Sequence, residues 1–253
     1  MKHIISLIVF SVILLSCSFT TPIPTTLPNI RKAFTQVAVV AKPNNPEMCP
    51  QDDKDCRSPL VFGSGFVISS RPGRSIIVTA GHVCNLDDDP RLRILIEVYD
   101  AYEEIVLITQ HSEFKAKVLE INEKLDICIL QTEKDNLPTI KLTSQEPQMG
   151  ERVFSISAPG GIYNKDLMLS FEGTYIGKGA PNKFYEYTDK RWYNIIGKGG
   201  SSGAPILNIR GELVGIISWT PAAAGRDGFS PYVLSMPTAK IYSYLKERLK
   251  HVR

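Results

Sequence analysis

The sequence predicts an all-β protein that ends in one helix, and three observations predict it. Short apolar runs rich in Val and Ile recur between residues 60 and 131, separated by polar turns. A second series of such runs follows between residues 152 and 235. Helical spacing of useful length occurs only near the end, where Ile241, Leu245 and Leu249 repeat every four residues. Several short strands joined by frequent turns make a barrel or a sandwich.

The elements follow in order. Lys2 and His3 precede an apolar run over 4–15, which is too short to span a bilayer comfortably. A basic start, a short apolar core and small residues before the break read as a secretory signal. Residues 18–30 are rich in Thr and Pro and predict an extended tether of about 3.1 Å per residue. A first short strand is expected over 36–40. Leu60 to Ile68 and Ser75 to Val78 flank Arg71-Pro72-Gly73-Arg74, which signals a hairpin. Further strands are expected over 93–99, 105–109, 114–122 and 127–131. The second series falls at 152–156, 167–176, 192–196, 205–208, 213–219 and 232–235, with a turn at Asn208-Ile209-Arg210-Gly211. Thr238 after Pro237 is the expected N-cap of the final helix, and Lys246, Arg248 and Lys250 complement its negative end. The charged, aromatic stretch 183–193 reads as a surface loop.

Composition excludes some functions. With 253 residues, 43% hydrophobic and 22% charged, the chain is ordinary globular protein without repeats. A net charge of +3 with scattered cations is too mild for a nucleic-acid partner. Setting Cys17 aside, four cysteines remain: Cys49, Cys56, Cys84 and Cys128. An even set in an exported chain suggests two disulfides, and three pairings are open. Cys49 and Cys56 are the natural local pair. Cys84 and Cys128 each lie two residues beyond a candidate functional residue, so they come close if those two residues touch. No Cys-x-x-Cys pair exists and histidines are few, which argues against zinc.

Three separated segments carry the chemistry: Thr79-Ala80-Gly81-His82, Leu125-Asp126-Ile127 and Gly200-Ser201-Ser202-Gly203. A hydroxyl is a weak nucleophile until an uncharged imidazole removes its proton. That imidazole needs a buried carboxylate to fix its tautomer and stabilise its charged form. His82, Asp126 and Ser202 are the residues for those roles. His111, between Gln110 and Ser112 in a polar turn, reads as a solvated histidine. Gly199, Gly200 and Gly203 permit a tight turn, and the N–H groups of Gly200 and Ser202 would form an oxyanion hole.

The order His, Asp, Ser with these motifs resembles the chymotrypsin-like serine peptidases, nearest to the bacterial HtrA and glutamyl-endopeptidase types. Gly63-Ser64-Gly65-Phe66 and the spacing from Gly211 to Gly215 match as well, so the resemblance covers about 60–245. It implies two six-stranded antiparallel β-barrels with a C-terminal helix. The implied parts are a leader (1–17), a tether with a cysteine-bearing extension (18–58) and a peptidase domain (59–253). Within the domain, the first barrel runs to 146, the second over 147–236, and the helix over 238–250. The chain stops after that helix, leaving no room for the PDZ domain of HtrA proteins. Ser201 stands where digestive zymogens carry Asp, so activity is not expected to await cleavage of an N-terminus. By the same resemblance Ile196 floors the specificity pocket. Ser218 and Trp219 lie in the segment that pairs with substrate backbone, and Thr220 narrows the pocket mouth. A small or medium apolar residue before the scissile bond is expected.

The reading is a serine endopeptidase acting on polypeptides, with no metal and no organic cofactor; a catalytically silent binding module is the alternative. Leu14-Leu15-Ser16-Cys17 resembles a bacterial lipobox, with Cys17 the acylated residue. Export to a bacterial membrane face by a lipid anchor is therefore expected, with plain secretion as the alternative.

Overall fold

The computed structural model describes residues 27–251 apart from 46, 48, 50–55, 86–89, 165, 180–188 and 222–227. The leader, Cys17 and the tether up to residue 26 lie outside the described residues. The first unit is a closed six-stranded barrel built from β1 (Phe34–Pro43), β2 (Ser58–Arg71), β3 (Arg74–Ala80), β4 (Ala101–Ile108), β5 (Glu113–Asn122) and β6 (Ile127–Thr132). Neighbours around the barrel run β1-β2-β3-β6-β5-β4, all antiparallel. Val37, Val39, Val67, Ile77, Leu107, Cys128 and Leu130 fill its interior, each burial worth roughly 1.5–3 kcal/mol for the larger side chains. The β2–β3 hairpin turns at Pro72-Gly73 as expected, and Gly73 takes the positive φ of +72° that such a turn demands.

The second unit is a seven-stranded sheet in the order β13-β10-β9-β8-β11-β12-β7. Its strands are β7 (Lys141–Leu142), β8 (Arg152–Ser157), β9 (Leu169–Lys178), β10 (Arg191–Tyr193), β11 (Pro205–Asn208), β12 (Glu212–Ile216) and β13 (Val233–Ser235). It curls back on itself beyond β12, where Trp219 pairs with Leu234 of β13 and Ser218 N–H donates to Leu234 O at 3.0 Å. The second unit departs from the expected six-stranded antiparallel barrel. It is a seven-stranded sheet with β7 parallel to β12, and it closes on itself through a short bridge rather than a full ladder. Between the units a third cluster packs Phe34, Phe66 and Ile127 against Ile156, Leu207 and Ile216. Ile241 and Leu245 of the last helix, α4 (Thr238–His251), seal it.

Several expectations need correction. The first barrel begins at Phe34, so β1 lies upstream of residue 59, where the resemblance starts the domain; without β1 the barrel could not close. Residues 27–30 belong to a helix, α1 (Leu27–Ala33), rather than to an extended tether, because Ile30 and Ala33 have a core to bury in. The one-turn helix α2 (Gly81–Cys84) follows β3. Residues 93–99 are not a strand: α3 (Pro90–Val98) occupies 93–98 and Tyr99 begins the turn after it. Leu92, Ile94, Ile96 and Val98 alternate like a strand, yet only Leu92 and Ile96 pack on the barrel, at helical spacing. Ile94 and Val98 remain 57% and 69% exposed. Thr238 does not cap α4, since its hydroxyl donates to Val214 O at 2.5 Å; Pro237 O takes the first helical N–H bonds instead. In the stretch 183–193, Arg191–Tyr193 form β10, and 183–188 lie outside the described residues.

Candidate active site

His82 and Asp126 are brought together by sheet register. Ala80 pairs with Ile127 and Thr79 with Cys128 across β3 and β6, so the residue just before β6 faces the turn just after β3. His82 sits in α2, and its backbone N–H donates to Asp126 Oδ1 at 2.9 Å. Its ring Nδ1 lies 3.0 Å from Oδ1 and 2.9 Å from Oδ2. An ionised carboxylate only accepts, so Nδ1 carries the proton and Nε2 is left as the acceptor. Gly81 suits this contact, because a Cβ there would stand 3.0 Å from Asp126 Oδ1 and the carboxylate would have to give by a few tenths of an ångström. The Cys84–Cys128 disulfide, with Cα atoms 6.4 Å apart, ties the far end of α2 to β6. Cys49 and Cys56 form the second disulfide. The open pairings are thereby resolved.

Asp126 is only 6% exposed and takes φ of +52°, a conformation that Asp tolerates better than most residues. Burial pushes its carboxyl up. The His82 ring by hydrogen bond and charge, the Ser218 hydroxyl at 2.7 Å and the His82 amide outweigh burial and hold it below the usual carboxylate range. The His82 side chain is 45% exposed, so this imidazole is open on the side away from the carboxylate.

Ser202 lies in a turn supported from the first barrel. Gly203 takes φ of +86°, and a Cβ on it would fall 2.1 Å from Ser64 O, 2.3 Å from Thr79 Oγ1 and 2.7 Å from Ala80 N. The turn is therefore pressed against the residues that lead into His82. Gly200 takes φ of +95°, where a Cβ would strike Ala158 O at 2.4 Å. Gly199 O accepts from Gly160 N–H at 2.5 Å, and Ser201 O accepts from Ala204 N–H at 3.0 Å. A trans peptide points its N–H opposite to its carbonyl, so the Gly200 and Ser202 N–H groups turn away from those acceptors. Among the described residues neither N–H has an acceptor, and the Ser202 hydroxyl makes no hydrogen bond. Donors left free beside a serine are what a developing oxyanion needs.

The substrate-binding expectations fare unevenly. Ser218 and Trp219 lie beside the pair, at the closure of the second sheet. Ile196, the expected pocket floor, is 47% exposed. Thr220 packs closely against Gly197: a Cβ on Gly197 would meet Val233 Cγ1 at 2.5 Å and Thr220 Cγ2 at 2.8 Å. His111 is exposed, as expected.

Residues that motif reading passed over also converge here. Lys190 stacks its ammonium 3.4 Å from the Trp219 ring centroid; burial pulls its ammonium down while the charge of Asp126 acts oppositely. Gln36 of β1 reaches across to donate to Gly161 O at 3.0 Å. Ser64, seen only as part of a glycine motif, bonds to both sides of the turn. None of these has a sequence signal, because each acts by distant contact rather than by spacing. Among the described residues no three His, Cys, Asp or Glu side chains gather as metal donors, and no helix is long and apolar enough to cross a membrane.

Residues 63–216 match the family described as trypsin-like peptidase domain. A protein of Pseudomonas putida named a probable periplasmic serine endoprotease, DegP-like, is 31% identical over 189 residues, 74% of this chain and 35% of its own length. Proteins of the same name from Ectopseudomonas mendocina and Hahella chejuensis are 28% and 30% identical over 225 and 176 residues. These alignments cover 88% and 69% of this chain, but only 41% and 33% of the relatives. The chain therefore spans well under half the length of these curated relatives.

Proposed function

Since the chain belongs to the trypsin-like peptidase domain family, we propose that it is a serine endopeptidase working through His82, Asp126 and Ser202. The observation that supports this best is the pairing of buried Asp126 with the solvent-open His82 ring, set two residues from where Gly203 abuts Thr79 and Ala80. Asp126 holds the Nδ1 proton, leaving His82 Nε2 to take the proton of the Ser202 hydroxyl. Ser202 Oγ bonds to the substrate carbonyl carbon, and the carbonyl electron pair moves onto oxygen, between the N–H groups of Gly200 and Ser202. Collapse of that adduct breaks the C–N bond. The amine leaves with the proton from His82, and Ser202 keeps the acyl group as an ester. Water then repeats the sequence, giving its proton to His82 and releasing the acid and the free serine.

The crowding of Gly197 by Thr220 and Val233 supports a small or medium apolar residue before the scissile bond. Polypeptides are the substrates in this reading. The relatives' names say periplasmic, which agrees with the secretory signal, so export is part of the proposal. Acylation of Cys17 would then hold the domain at a membrane, with burial of each methylene worth roughly 0.8 kcal/mol. Mass spectrometry of the mature N-terminus tests it: a diacylated Cys17 peptide supports anchoring, and an unmodified cleaved N-terminus supports secretion.

A fluorophosphonate probe tests the hydrolase itself. Labelling of the wild type at Ser202, lost in Ser202→Ala, is the expected result. A folded wild type that takes no label would make the domain a silent binding module. Strict cleavage after Arg or Lys in a peptide library would overturn the specificity.

A further inference from the structure

Ser64 uses every polar atom it has, and all of them bear on the nucleophile turn or its neighbours. Its hydroxyl donates to Gly200 O at 2.8 Å and accepts from Ala158 N–H at 3.0 Å. Its backbone N–H donates to Ser202 O at 2.7 Å, and its carbonyl accepts from Thr79 Oγ1 at 2.7 Å. The residue is fully buried between the two units. Gly200 and Ser202 are the two residues whose N–H groups the proposed mechanism uses, and Ser64 binds the carbonyls of those same two residues. Holding a residue's carbonyl fixes the peptide plane that follows it, while its own N–H lies in the plane before it. Ser64 therefore anchors the far side of each donor residue, and the Gly160 bond to Gly199 O and the Ala204 bond to Ser201 O orient the N–H groups themselves.

We propose that Ser64 is a positioning residue for the oxyanion hole, holding Gly200 and Ser202 through their carbonyls from the opposite barrel. This rests on the hydrolase reading above. The N–H bond to Ser202 O needs only backbone, but the bond to Gly200 O needs a hydroxyl at this position. Ala158 supplies the countergrip. Its N–H fills the acceptor side of the Ser64 hydroxyl, which aims the proton at Gly200 O. Gly160 N–H holds Gly199 O on the same platform, so the first donor is gripped before and after its own residue. Preorganised donors are worth most when they need not move as charge develops, and loss of one such donor costs about a hundredfold or more in rate. Loosening a donor rather than removing it should cost less.

The test compares Ser64→Ala with Ser64→Cys, which keeps a weak donor and similar volume. Ser70→Ala is the control, since Ser70 bonds Leu137 N–H in the same barrel, away from the turn. For each, kcat and KM on a peptide substrate are measured with the inhibition constant of a peptidyl trifluoromethyl ketone, whose adduct oxygen stands in for the oxyanion. In Ser64→Ala, kcat should fall about tenfold or more with KM within about twofold, and ketone affinity should fall by the same factor as kcat/KM. Ser64→Cys should lie between, and Ser70→Ala at wild type. A destabilised fold would lower the melting temperature without this proportionality, and if the alanine variant does not fold, the cysteine variant must still obey it. The proposal is overturned if a folded variant keeps kcat and ketone affinity within twofold, or loses kcat while ketone affinity holds. If the wild type itself takes no fluorophosphonate, the hydrolase reading fails first and this proposal with it.

Discussion

The two halves of the site are held in different ways. His82 and Asp126 belong to one closed barrel, joined by adjacent ladder pairs, a pair of hydrogen bonds and the Cys84–Cys128 crosslink. The Ser202 turn belongs to a sheet whose closure is a single bridge, and much of its support comes from Ser64 and Thr79 on the other barrel. The base and acid are therefore fixed mainly by their own unit, with one bond to Asp126 from Ser218 of the other, while the nucleophile turn is fixed by the contact between units. Damage to the first half should act through chemistry or local unfolding. Damage to the second should act through the seam.

The largest effect should come from the first half. Asp126→Asn keeps the shape but offers an amide where His82 needs an acceptor, so kcat should fall about 10⁴-fold while the fold survives. Steady-state hydrolysis, with circular dichroism as the control, checks it. Opening the crosslink comes next. Cys84→Ser removes a constraint spanning 44 residues, worth about 4 kcal/mol in the chain-entropy account. Urea unfolding should show that loss, and a barrel equally stable without it would mean the ladder alone suffices. Gly203→Ala probes the seam: its Cβ would collide with Ser64 O at a positive φ, so roughly 3 kcal/mol of stability should go. A fully stable alanine variant would show that the turn has room the seam should not allow.

Acid sharpens the contrast least. The folded Asp126 carboxyl sits below its usual value near 3.8, so its contribution is complete above that pH. It is lost as pH falls through the depressed value, because the protonated acid no longer accepts both bonds. Unfolding midpoints between pH 5 and 2 should drop more steeply in wild type than in Asp126→Asn, which has no such proton to take up. Parallel curves would deny Asp126 this role.

Much of this was legible because it is local. The β2–β3 hairpin shows in Pro72-Gly73, β11 shows at its full length over 205–208, and the three motifs lie on the turns that carry His82, Asp126 and Ser202. What was hidden depends on partners. Leu92, Ile94, Ile96 and Val98 satisfy both a strand and a helix, and only the curved face of the barrel decides for the helix. Thr238 has the right chemistry for a cap, but Val214 O is nearer to its hydroxyl need. The exposure of Ile196 and the crowding at Gly197 belong to the return of β13, which no spacing in the chain encodes. Ser64 looks like a filler between glycines until the second unit is in place.

The most direct test of the account is a double-mutant comparison of His82→Ala, Ser202→Ala and the two together, read as kcat on one peptide. Residues that act as a unit lose nearly everything at the first removal, so the double variant should be no slower than the single Ser202→Ala. Losses that multiply, or a His82→Ala protein that still turns over near the wild-type rate, would contradict it.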